Sequence, residues 1–193
     1  MLFGDGKVWE WIALIIVIAV LAFIAIFFSY YNRIIRLSNR IDNAWSQIDV
    51  QLKKRADLVP NLMETVKGYM KHEQKAIDMV TKARKEMLGA SAPAEKMKAG
   101  NVLASALKSI FAIAENYPNL KASENFKLLQ EQLDGIESKI AYSRQFYNDS
   151  VLSYNNAVTT FPGRWMAVRM GRTKEKPYIE IPDAERKVPK VSF

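Results

Sequence analysis

The chain has 193 residues, with 28 Lys and Arg against 20 Asp and Glu, a net charge of +8, one histidine and no cysteine. That length suits one ordinary domain with material left for an anchor or tail. Without cysteine there is no disulfide framework, thiolate nucleophile or Cys-ligated metal site, and the positive balance favours anionic partners, lipid or nucleic acid.

The first predicted element is residues 11–28, WIALIIVIAVLAFIAIFF, which contain no Gly, Pro or charge. At 1.5 Å per residue it is roughly 27 Å long, and Ser29, Tyr30 and Tyr31 extend it to about the 30 Å of a hydrocarbon core. Thirteen of these residues are Ile, Leu, Val or Phe, so insertion is favourable by roughly 5 kcal/mol. Trp9 and Trp11 at one end, and Tyr30 and Tyr31 at the other, read as aromatic belts. A core helix of a small domain is rarely apolar on every face. A cleaved signal peptide wants a basic start and a small-residue exit; here Lys7 is offset by Asp5 and Glu10, and the segment ends in FFSYYN. The expectation is a permanent transmembrane helix, 11–31, behind a short extracytoplasmic N-terminus, 1–10. Arg33, Arg36 and Arg40 follow closely, while only Lys7 and the α-amine precede. The positive-inside rule then predicts a single-pass cell-membrane protein with its N-terminus outside and the bulk of the chain cytoplasmic. Asn148-Asp149-Ser150 is a glycosylation sequon that would stay silent in that compartment.

From Ile34 onward apolar residues recur every seven positions. One row runs Ile34, Ile41, Ile48, Arg55, Leu62, Tyr69, Ala76, Ala83; a second runs Ser38, Trp45, Leu52, Val59, Val66, Glu73, Val80, Met87. This is the spacing of helices packed side by side. The unbroken phase argues for one helix kinked at Pro60. Length matching argues for a break: a rod from 33 to 88 would reach roughly 80 Å, whereas the helix predicted over 94–115 reaches about 33 Å. Pro also suits a first helical turn, Val59 before it is biased away from the α region, and Asp57 could cap a new helix. The expectation is therefore a helix break at Pro60, with helices over 33–57 and 60–88. Leu88-Gly89 before Ser91 and Pro93, and Asn116-Tyr117-Pro118-Asn119, are turns. A last long helix is predicted over 121–160, with Phe126, Leu129, Leu133, Ile136, Ile140, Tyr147, Val151, Tyr154 and Val158 inward, ending at Phe161-Pro162-Gly163. The fold class expected is all-α: a single N-terminal transmembrane helix, an antiparallel up-and-down four-helix bundle over 32–161, and a short irregular basic C-terminal tail over 162–193. A continuous kinked helix through Pro60 is the alternative.

Four alternating helices would return the chain to the lipid, where residues 164–176 read RWMAVRMGRTKEK. Arg164, Arg169 and Arg172 beside Trp165 and aliphatic groups suit an anionic lipid surface; the competing reading is a partly packed tail with solvated charges.

The sequence carries no recognisable catalytic or metal-binding pattern. His72 is the single histidine, residue 69 is Tyr and residue 76 is Ala, so a di-iron bundle site, a His-built zinc site and the H-E-x-x-H pattern are all excluded. There is no nucleophile elbow, P-loop or dinucleotide fingerprint. Catalytic residues, cofactor and metal are all expected to be none. Arg55 and Glu73 occupy positions on the apolar rows and read as polar residues satisfied by another helix, with a contact point for a second protein as the alternative. Asn43, Gln47 and Gln51 form a polar stripe beside the core.

The stretch DVQLKKRADLVPNLMETVKGY, followed by His72-Glu73, resembles the LemA family. The likeness extends through Tyr117-Pro118, Leu120-Lys121, Phe126, Leu129-Gln130, Tyr147-Asn148, Tyr154-Asn155, Phe161-Pro162, Lys176-Pro177-Tyr178 and Pro189-Lys190-Val191. The resemblance implies one membrane helix before a cytoplasmic helical bundle, and a link in some members to the organisation of internal or envelope membranes. It supplies no catalytic residues. In this chain RWMAVRMG stands where members often carry a more apolar, glycine-containing stretch.

The functional expectation is a non-enzymatic membrane-anchored scaffold that self-associates as a homo-oligomer and contacts anionic lipids and other membrane proteins. Ala22, Ala25 and Ser29 offer only a weak small-residue packing signal in the span. A regulatory adaptor for a membrane protease or signalling protein is the alternative. Nucleic acid is not favoured, because Lys53-Lys54-Arg55, Lys82 and Arg84-Lys85 come with no recognition motif.

Overall fold

A computed structural model describes residues 5–70 and 72–180. Residues 1–4 of the expected extracytoplasmic N-terminus, and Pro189-Lys190-Val191, lie outside the described residues. Every regular element among the described residues is helical: α1 (Asp5–Lys67), α2 (Gln74–Gly89), α3 (Pro93–Ala114), α4 (Pro118–Ala122), α5 (Glu124–Thr159) and α6 (Gly163–Arg169). The chain divides into two compact units, one of residues 5–41 with 150–177, the other of residues 42–149 with 178–180.

In the second unit the heptad rows do their expected packing on both sides of the loop after α1, with Ala76, Val80, Ala83 and Met87 of α2 buried and only Tyr69 and Glu73 out of the core beyond Val66. Ile48, Leu52, Val59, Leu62 and Val66 are all buried. Removing side chains of this size from water stabilises by about 1.5–3 kcal/mol each, which outweighs modest helix propensity. The chain then departs from expectation. Pro60 lies inside α1, and Asp57 is an exposed mid-helix residue rather than a cap. The break falls at 68–73 instead: Gly68 follows the helix, the Tyr69 and Met70 amides both return to the Val66 carbonyl, Met70 is buried and Tyr69 is turned out.

The physical reason is visible at Ala56. A proline at position 60 has no N–H for the carbonyl four residues earlier, and an orphaned carbonyl is one of the main costs of proline inside a helix. That carbonyl is satisfied from α2: Arg84 Nε donates to Ala56 O at 2.8 Å. With the orphan accommodated, helix propagation continues until Gly68, a weak helix former. Length matching is met in a different way as well. The stretches of α1 and α5 inside this unit, 42–67 and 124–149, are equal in length, and α2 with α3 forms a shorter helical hairpin closed by the turn before Pro93.

The close approach of α3 to α1 is made at Gly100, where a Cβ would come within 2.7 Å of Leu52 Cδ2. Predicted inward positions of the last helix, from Phe126 to Val158, are all buried, and its boundaries differ only by the short α4 that precedes it.

In the first unit residues 8–26 of α1 are exposed around the whole helix, and Ile34, Ser38 and Ile41 begin its buried face. The expected irregular tail is not irregular at its start. Gly163, Met166 and Ala167 of α6 are buried, the i, i+3, i+4 stripe of a docked amphipathic helix. Gly163 is required there, since a Cβ would sit 2.0 Å from the Ala157 carbonyl oxygen. The helix closes on Gly171 at φ 65°, with Arg172 N–H bonding Ala167 O at 2.9 Å and Gly171 N–H bonding Val168 O at 3.1 Å. This is a Schellman stop, which needs a residue tolerant of positive φ.

Candidate functional site

Three constructions carry the polar side chains. The first is a charged core in the second unit. Arg55 is 1 % exposed, donates from Nη1 to the Gly100 carbonyl at 3.2 Å, and pairs through Nη2 with Glu137 of α5. One guanidinium therefore ties α1 to α3 and α5. A buried cation needs such partners because its desolvation is otherwise uncompensated. Glu73 sits immediately before α2, where a carboxylate favours the positive helix end, and Tyr117 Oη lies 3.5 Å from its Oε1. Arg144, also buried, donates to Asn101 of α3. Sequence reading passed over Arg144, although its place four after Ile140 and three before Tyr147 puts it on the inward row. Tyr147 stacks edge-on against Trp45 at 6.5 Å, and burial, then the charge of Asp42, pushes its hydroxyl pKa upward.

The second construction is a groove along the α1 and α5 stretches of the same unit. Two adjoining hollows of about 560 and 570 Å³ share Gln51, Gly135 and Lys139. Ser46, Gly135 and Ser138 leave the space open, while Val50, Leu58, Leu128 and Tyr142 supply apolar wall. Gln47 and Gln51 of the predicted polar stripe line it, and Gln47 donates to Asn43 at 3.0 Å. Gln51 Oε1 is shielded from solvent and accepts no hydrogen bond. Lys54 and Lys139 on the groove are matched by Asp57 and Glu131, so it carries both signs.

The third lies in the first unit and collects most of the residues expected at a membrane interface. Trp9, Trp11 and Tyr31 are exposed on α1 and Tyr30 is half-buried; Arg33, Arg36 and Arg40 are exposed further along. Arg164, Trp165, Arg169 and Arg172 are exposed on or just beyond α6. Trp165 reaches the apolar span itself, its ring 6.0 Å from that of Phe23, and the Arg169 guanidinium lies 5.2 Å from the Trp165 ring centre.

The segment after α6 is held by asparagines. In the first unit the Asn155 side chain donates to Lys176 O at 3.0 Å and accepts from Lys176 N–H at 2.8 Å. In the second, Asn148 makes the same pair with Ile179, at 3.0 and 2.9 Å. Each amide imitates one rung of a β-ladder. The signal was present as the repeated Tyr-Asn at 147–148 and 154–155, opposite the Lys-Pro-Tyr of the tail.

The LemA family model matches residues 44–193, more than three quarters of the sequence. The chain belongs to the LemA family. Its relatives include the magnetosome protein MamQ of Magnetospirillum gryphiswaldense, 25 % identical over 93 % of this chain and 75 % of the relative. Magnetosome protein MamQ 2 of Paramagnetospirillum magneticum is 24 % identical with the same coverage. Protein LemA of Metamycoplasma hominis is 27 % identical over 72 % of this chain and 65 % of the relative. Both Tyr-Asn pairs that carry the resemblance supply an asparagine clamp, Asn155 on Lys176 and Asn148 on Ile179. Among the described residues of this LemA-family chain, no three His, Asp or Glu side chains gather as a metal site.

Proposed function

We propose that this LemA-family protein is a non-enzymatic, membrane-anchored helical scaffold that self-associates laterally and organises or shapes the membrane that holds it. The observation that carries the reading is α1: apolar and exposed on all faces over 11–26, yet the core strut of a packed helical unit further along. A helix apolar on every face calls for an apolar surrounding, and its length fits a bilayer core. The magnetosome and LemA names of the relatives support membrane association. In this reading the anchor is single-pass with the N-terminus outside, the helical bundle is cytoplasmic, and the partners are anionic lipids, further copies and other membrane proteins.

The groove between α1 and α5 is the surface we assign to a second copy. Anchoring confines copies to one plane and raises their effective concentration. The mixed charges of Lys54, Lys139, Asp57 and Glu131 complement a copy of themselves. The cysteine-free background makes the test clean. Val50→Cys and Tyr142→Cys should form disulfide-linked dimers in native membranes, and Met79→Cys, exposed on α2, should not. A monomer in lipid with no adduct at any site would remove the scaffold. One dominant foreign adduct at Val50 or Tyr142 would favour the adaptor reading, which the same open groove supports.

A further inference from the structure

The outward face of α6 is built for neither water nor a protein core. Its inward stripe is satisfied by Gly163, Met166 and Ala167, yet the residues left outside alternate Arg164, Trp165, Val168 and Arg169, with Phe161 89 % exposed just before them and Arg172 just after. A solvated surface helix would carry Glu, Lys or Gln at these positions. Interleaved arginine and aromatic or aliphatic groups are the composition of an in-plane interfacial helix.

Its depth follows from the contact with Phe23. Phe23 is eight residues before Tyr31, which is about 12 Å along a helix, and twelve residues after Trp11, about 18 Å. If the acyl–headgroup boundary lay at Tyr30 and Tyr31, the arginines of α6 would be well inside hydrocarbon, where unpaired charge is not tolerated. If the boundary lay at Phe23, the remaining span would be about 10 Å shorter than a normal bilayer core. Long arginine side chains resolve the conflict by extending toward phosphates while the helix body stays among acyl chains.

We propose that α6 is a wedge seated in the leaflet nearer Tyr31, at the acyl–headgroup boundary, with Arg164, Arg169 and Arg172 gripping anionic lipid phosphates and drawing that leaflet locally thinner. The occupant of this face is lipid because the face is continuous with the exposed apolar span through Trp165 and Phe23, and because its charges are all of one sign. The proposal deepens the membrane-organising reading above and rests on the anchor, but not on self-association.

The test places one full-length chain in each lipid nanodisc, so that oligomerisation plays no part. Trp9, Trp11 and Trp45 are replaced by Phe, leaving Trp165 as the reporter, with helicity and thermal melting compared with the parent. Phospholipids brominated on the acyl chain near the headgroup should quench Trp165, and aqueous iodide should not. Quenching should be stronger in phosphatidylglycerol discs than in phosphatidylcholine discs, and the triple change Arg164→Gln, Arg169→Gln, Arg172→Gln should abolish that difference. Should the Trp-depleted chain lose its fold, Val168→Cys carrying a fluorescent label in the otherwise unchanged protein reads the same depth. Iodide quenching with no bromolipid quenching overturns the wedge. Equal quenching in both lipids overturns the anionic grip. If the wedge result holds while the Val50 and Tyr142 cross-links fail, the scaffold is wrong and the lipid contact stands.

Discussion

At Arg55 a single cation replaces an aliphatic residue in the middle of an apolar row, and three helices are organised around it. Arg55→Ala would leave Glu137 and the Gly100 carbonyl without their donor. The expected loss is about 2–3 kcal/mol, below the full cost of breaking a buried pair because the Glu137 side chain keeps 34 % of its surface in water. Arg55→Met, which fills the volume, should recover part of it; denaturant unfolding in mild detergent measures both. Tyr147 gives a pH-dependent counterpart. Its pKa is raised above the ordinary 10.0, by burial first and Asp42 second. Below pH 10 both folded and unfolded states hold the proton. Above it the unfolded chain ionises first and binds fewer protons, so stability falls as pH climbs through the folded pKa. Tyr147→Phe should therefore lose less stability than the parent between neutral pH and the region above pH 10, read as the difference in melting temperature across an alkaline series.

The long helix α1 ends where hydrogen bonding runs out rather than where its proline stands. Pro60 is carried through because Arg84, reaching across from α2, supplies the donor that the proline lacks. The element-level prediction is a coupling. Arg84→Met should cost about 1–2 kcal/mol in the parent, where Ala56 O becomes a shielded, unmet acceptor. In a Pro60→Ala background the restored amide takes that carbonyl, so the same change should cost clearly less; a double-mutant cycle by chemical denaturation gives the difference. The tail makes the same point in extended chain. Asn155→Ala removes both hydrogen bonds to Lys176, so tryptic cleavage after Lys174 should speed up while helicity stays unchanged by circular dichroism.

At the level of the whole molecule, one exposed apolar span dictates where everything else can be. In the proposed topology, with the N-terminus outside, Glu10→Cys should react with a membrane-impermeant maleimide on sealed cells and Lys108→Cys should react only after lysis. The reverse pattern would invert the topology. The structure adds a reason for the Asn148 sequon to remain bare whichever side it faces: its side-chain amide is committed to both backbone groups of Ile179, and Ser150 is fully buried.

What was legible from residues alone was whatever depends on local periodicity or on the complete absence of polar atoms. The apolar span, the turns at 89–93 and 116–119, the inward stripe of α5 and the helical class are all of this kind, because burial of a helix face is written at every third or fourth position. What only the tertiary structure decided were the interactions whose partners are far apart in sequence. The donor for Ala56 O comes from 28 residues away, the carboxylate for Arg55 from 82, and the two clamps on the tail from 21 and 31. Gly100 and Gly163 are the same case in steric form, since nothing in their neighbours predicts Leu52 or the Ala157 carbonyl at van der Waals limit. Periodicity specifies which face of a helix turns inward; only three-dimensional packing specifies which donor meets which acceptor there, and here those meetings settled whether a proline ends a helix and whether a basic tail has a seat.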